Sequence, residues 1–163
     1  MVVQSRWLTA LGSVFVILGG VVAAVTGPLE FAKGSWLAAY LVLVCGVPQN
    51  AVGWIAGGRL TVSRGWVLVA GWNIGNGAVI SGTLTGLPYI VDLGGLVLLV
   101  PLVVLLWVLL RDRGVDGVPS DRAESGAERA ARWALIVLSV VLIVSIPIGL
   151  ALAHLRAGWR SDL

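Results

Sequence analysis

Five stretches of the chain carry no Asp, Glu, Lys, Arg or His: 7–29, 34–58, 65–91, 93–110 and 133–153. Each approaches or exceeds the roughly 18–20 apolar residues with which an α-helix crosses about 30 Å of hydrocarbon. The runs are too long for the strands of a membrane barrel and lack their alternation of apolar and polar residues. The pattern predicts an all-α fold, a polytopic integral membrane bundle of five transmembrane helices near 7–27, 36–57, 65–86, 88–110 and 133–155. The first run also resembles a cleavable signal peptide, with Arg6 before it and Val22-Ala23-Ala24 as a cleavage-like site. A leader's apolar core is usually about 7–15 residues, so this longer run is read as a retained span.

The polar positions between the runs set the expected orientation. With the N-terminus inside, Arg6, Arg59, Arg64, Arg111, Arg113, Arg122, Arg129 and Arg132 are cytoplasmic, and Lys33, Arg156 and Arg160 are outside. Basic residues concentrate in cytoplasmic loops, so N-in/C-out is expected. Trp7, Trp36, Trp66, Trp107 and Trp133 fall near helix ends, where amphipathic rings sit well. Trp72, deep in the third run, is the exception. The links between the first four spans are short, which forces neighbouring helices to pack antiparallel. The one sizeable polar segment, 111–132, reads as a cytoplasmic linker. Gly114, Gly117 and Pro119 make its first half irregular. Its second half can be helical from an Asp121–Glu124 capping pattern, with a Glu128–Arg132 pair, and can run into the fifth span.

Composition agrees with this reading. The chain is 58% hydrophobic and 12% charged, against roughly 45–50% and 25% in a soluble domain. Mean hydropathy is +0.99. A soluble enzyme, a disordered chain and a nucleic-acid-binding module are excluded. The net charge of +3 is accounted for by membrane orientation. Ten arginines against the single Lys33, with heavy Ala, Gly and Val use, point to a GC-rich bacterial source and hence to a bacterial cytoplasmic membrane.

Polar residues inside the apolar runs are the informative ones. The second run holds Pro48-Gln49-Asn50 and the third holds Asn73 and Asn76. An unpaired amide in hydrocarbon costs several kcal/mol, so these four need partners. Gln49 and Asn73 stand equally far from the turn near residue 61, roughly 18 Å at 1.5 Å per residue. The expectation is that Gln49, Asn50, Asn73 and Asn76 form one intramembrane cluster, either bonding one another or lining a polar path. Pro48 removes a backbone donor and its ring crowds the Val44 carbonyl, predicting a kink; Pro101 and Pro147 predict further bends. Another face of the third helix carries Gly71, Gly75, Gly82 and Gly86, a small-residue surface that admits close helix approach.

At the opposite end from the cytoplasmic linker, Asp92, His154 and Glu30 come to comparable depth and form a possible outer-leaflet site. Spacing does not support a metal centre there, since the three come from separate segments. One cysteine, Cys45, and one histidine give no disulfide, zinc or haem motif, so no metal or cofactor is expected. No phosphate-binding glycine loop, nucleophile elbow or metalloprotease motif occurs, and no constellation marks an enzyme. Three functions follow as expectations. The first is a non-catalytic accessory or structural subunit, packing through its glycine face against a membrane-protein partner or its own copies. The second is a small-solute transporter or channel lined by the amides. The third is a quinone- or lipid-binding subunit of a redox complex, with the ligand near Asn73 and Asp92. The bilayer is a partner in all three, and nucleic acid in none.

Overall fold

The computed structural model describes residues 3–56, 60–111 and 126–161; of the last helix, the side chains of 150 and 152–161 lie outside the described set. All its regular structure is helical. The helices are α1 Val3–Thr26, α2 Gly34–Ile55, α3 Val62–Thr85, α4 Pro88–Arg111 and α5 Gly126–Ser161. All five include a stretch long and apolar enough to cross a membrane, so the described residues form a polytopic membrane bundle of five spans.

The bundle is built from two antiparallel hairpins, α1–α2 and α3–α4, with α5 lying against α4 and the end of α2. Glycines set the closeness of both hairpins. A Cβ on Gly12 of α1 would lie 2.6 Å from the Asn50 backbone nitrogen and 2.7 Å from the Gly46 carbonyl. In α3–α4, a Cβ on Gly94 would meet the Val79 nitrogen at 2.7 Å and the Gly75 carbonyl at 2.8 Å. With lipid as apolar as the side chains, such backbone-to-backbone packing is what holds membrane helices together. Lys33, in the link after α1, reaches across to the α3 C-terminus and donates to the Thr83 and Leu84 carbonyls. A cation there complements the helix dipole and ties one hairpin to the other.

α1 starts at Val3, before the apolar run. Gln4 and Ser5 are polar yet buried, because Ser5 Oγ donates to the Gly53 carbonyl (2.7 Å) and the Gln4 stem covers Gly65. α5 starts at Gly126, so the described part of 111–132 is helical and continues into the fifth span. The irregular half of that segment and its Asp121–Glu124 cap lie outside the described residues. Arg132 of α5 donates to the Leu109 carbonyl at the end of α4 (2.6 Å), joining the two helices where the polar segment re-enters.

Pro48 does more than bend α2. Leu41–Gly46, just before it, is π-helical. A π turn takes in an extra residue, which resolves the clash of the proline ring with the preceding turn and rotates everything after it. α4 and α5 run through Pro101 and Pro147 without interruption.

The core occupies one half of the bundle. Leu8, Val52, Ala56, Leu60, Leu68, Leu105, Leu109 and Leu135 are buried together at the end where α2 is joined to α3. The other half is packed less completely.

Candidate functional site

In that other half, α2, α3, α4 and α5 surround a cavity of about 240 Å³. Val44, Val79, Val91, Leu98, Leu102, Leu142 and Ile146 give it apolar walls. Ser145 and Gly149 on α5 also line it and are exposed, so it opens along α5 to the outside of the bundle. An engineered cavity of about 150 Å³ holds benzene, so this one has room for a ring or a branched chain segment.

Its more deeply placed polar groups come from α2 and α3. Tyr40 Oη donates to Asn76 Oδ1 at 2.8 Å, and Asn76 Nδ2 donates to the Trp72 carbonyl one turn back, also at 2.8 Å. The Tyr40 ring stacks on Trp36, with centroids 5.1 Å apart. Asn76 is 2% exposed and both its amide ends are used. By helix rise, the pair lies roughly 9–14 Å inside the ends of α2 and α3.

Trp72 has a role here that its mid-helix position does not announce. Its Nε1 donates to the Val44 carbonyl of α2 at 3.3 Å. Val44 lies on the π segment, one turn before Pro48, and the indole gives its carbonyl a donor from the neighbouring helix.

The expected amide cluster is not assembled. Asn50 turns to α1, donating to the Thr9 carbonyl (3.2 Å) and Ser13 Oγ (2.8 Å). Asn73 donates to the Val69 carbonyl within its own helix (2.6 Å). Gln49 is fully buried and makes no side-chain hydrogen bond to the protein. Only Asn76 lines the cavity. Two geometric facts explain the dispersal. Neighbouring residues on a helix point about 100° apart, so Gln49 and Asn50 cannot face one partner. The π turn then rotates both relative to an unbroken helix, so equal depth with Asn73 does not bring Gln49 to it.

The glycine face is also reassigned. Gly71 packs on the Pro101 ring, Gly75 on Leu98 and the Gly94 carbonyl, and Gly82 on the Val91 nitrogen. At these three glycines the neighbour is α4, the next helix of the same chain. Gly86 is outside the contact: a Cβ there would meet nothing within 4 Å. Its φ of 73° ends α3 in a left-handed cap, a conformation glycine adopts without steric cost.

Asp92 is half-buried on α4 and Glu30 is exposed in the α1–α2 link, in a left-handed conformation (φ 49°). His154 is on α5, where its side chain is outside the described set. Among the described residues no three His, Cys, Asp or Glu side chains gather as metal ligands. Cys45 is a buried free thiol on the π segment.

Sequence reasoning missed Tyr40 and the cavity. Tyr40 stands four residues after Trp36 on the same face of α2, a signal of an aromatic pair. Its tie to Asn76 depends on how α2 and α3 are rotated.

The chain matches no known family model, no curated protein and no solved structure.

Proposed function

We propose that this is a non-catalytic multi-pass protein of the bacterial cytoplasmic membrane, N-in and C-out, that holds a membrane-dissolved amphiphile between α2, α3, α4 and α5. One observation carries the reading: an apolar cavity inside the bundle, open along α5, contains the Tyr40–Asn76 hydrogen-bonded pair. Ligand sites are concave and mostly apolar, with a few placed polar groups fixing orientation. A lipid or quinone-type molecule enters such a site from the bilayer, with its chain against the valines and leucines and its polar group at Tyr40 and Asn76. Orientation rests on the eight basic residues assigned to the cytoplasmic side against three.

The test is extraction in mild detergent followed by mass spectrometry of small molecules. One hydrophobic compound should copurify in stoichiometric amount with the wild type and be depleted from Leu142→Trp, which projects an indole from the cavity wall on α5. A wild type that carries nothing beyond the bulk lipid mixture, and is unaltered by Leu142→Trp, would falsify the proposal.

A second reading, docking in a membrane complex or homo-oligomer, is favoured by one feature. Ser13 is exposed on α1 and hydrogen-bonded to Asn50, a polar pair in a groove otherwise lined by Val16, Ile17, Val47 and Ala51. Polar side chains on such a face join membrane helices by hydrogen bonding. Asn50→Leu should then shift the oligomeric or complex mass in native electrophoresis while ligand retention is unchanged.

A further inference from the structure

From the hydrogen-bond capacity left in the cavity, we infer that its occupant presents a hydroxyl: a long-chain alcohol, a quinol or a diacylglycerol-type lipid, rather than a quinone or another molecule with carbonyl groups alone. This rests on the amphiphile-binding reading above and narrows it.

The Trp72 carbonyl can only accept, so the Asn76 end facing it must be the NH₂. Asn76 Oδ1 therefore faces Tyr40, and the Tyr40 hydroxyl must spend its one proton there. The Trp72 N–H is spent on the Val44 carbonyl. One Asn76 N–H, the Tyr40 O–H and the Trp72 N–H are thus three donors committed inside the protein, while Ser145, exposed on α5, makes only a long 3.4 Å contact to the Leu142 carbonyl. Around the Tyr40–Asn76 pair, what remains is the lone pairs of Tyr40 Oη, the second lone pair of Asn76 Oδ1, and one Asn76 N–H. The unspent capacity is chiefly acceptor.

A hydroxyl matches both kinds of remaining group. Its proton goes to Tyr40 Oη, and its oxygen can take the Asn76 N–H. A ketone or quinone oxygen can take only the N–H, and it sets its own lone pairs against those of Tyr40. In a cavity with apolar walls an unmet polar atom is costly, so the difference becomes discrimination. The amphiphile's donor must be uncharged to cross the apolar opening at α5, which favours a hydroxyl over an ammonium group.

The experiment uses the whole protein in phosphatidylcholine nanodiscs and three photoreactive probes of equal chain length: a long-chain alcohol, its methyl ether and the matching methyl ketone. All carry the same diazirine in the chain, and peptide mapping reads labelling of α4 and α5. The alcohol should label the cavity about tenfold more than the ether or ketone, the ratio expected for one hydrogen bond and one avoided repulsion. In Tyr40→Phe that preference should fall to about twofold or less. Ketone labelling equal to alcohol labelling in the wild type overturns the hydroxyl assignment and leaves the amphiphile site standing. If no probe labels the cavity above the level in Leu142→Trp, the amphiphile site itself falls. The wild-type comparison decides even if Tyr40→Phe does not fold.

Discussion

The two halves of the bundle are made from the same helices and solve different problems. Near the α2–α3 connection, all five spans contribute to a filled core, with Leu8, Leu68, Leu105 and Leu109 each at or below 1% exposure. Near the opposite end, four of the spans surround about 240 Å³, and a tyrosine, an asparagine and a serine border the space. In the first half van der Waals contact holds the helices together. In the second, glycine contacts hold each hairpin and hydrogen bonds between α2 and α3 hold the hairpins to one another. A membrane bundle can therefore keep a cavity provided its stability is concentrated elsewhere.

The largest expected effect separates the halves directly. Leu105→Ala in the packed half should cost about 3 kcal/mol, as core leucine truncations do. Leu142→Ala at the cavity wall should cost under about 1 kcal/mol, because the side chain already faces space. Denaturation in mixed micelles measures both, and equal losses would end the distinction. A second change has the opposite sign. Gln49 lies one turn before Val52, buried and without a side-chain bond. Gln49→Met keeps the length and removes the orphan amide, so stability should rise by about 1–2 kcal/mol. No gain in the same titration would show that this amide is satisfied in the membrane. Trp72→Phe should cost about 1 kcal/mol by removing the indole's bond to the Val44 carbonyl. Its hydrogen exchange signature should be faster exchange around Pro48, with the Leu105 region unchanged. Tyr40→Phe should cost least, about 0.6 kcal/mol, the average for side-chain hydrogen bonds between membrane helices. A loss as large as that from Leu105→Ala would make the pair a structural lock, not a binding group.

The fold was legible because membrane spans are set by length and charge alone. All five runs form helices; the departures are at their ends and in the π segment Leu41–Gly46. Ser5 and Gln4 extended α1 since a polar residue can be buried when Gly53 and Gly65 lie opposite. The site was legible only in part. Asn76 was named from its place in hydrocarbon, where a polar side chain must find a partner. Its partner Tyr40 was not, because no sequence rule fixes the rotation of one helix against another. Gln49, Asn50 and Asn73 looked like the same cluster in one dimension and point to three different surroundings in three. The π turn before Pro48 is the local cause, and a proline in a membrane helix announces a disturbance without stating its form. Gly71, Gly75 and Gly82 of α3 lie against α4, whereas Gly86 caps the helix. That their partner is α4 follows from the tight Gly86-Leu87-Pro88 connection, which returns the chain along that same face.

The bond from Trp72 to Val44 also has a bearing on how the chain is made. α2 enters the membrane before α3 has been synthesised, and donor and acceptor are separated by 28 residues of chain. Until the indole arrives, the Val44 carbonyl lacks this interhelical bond. α2 is thus a better guest of the lipid once paired with α3 than by itself. The insertion machinery is expected to release α2 and α3 together, as a hairpin, and a chain truncated after α2 should linger at the exit site.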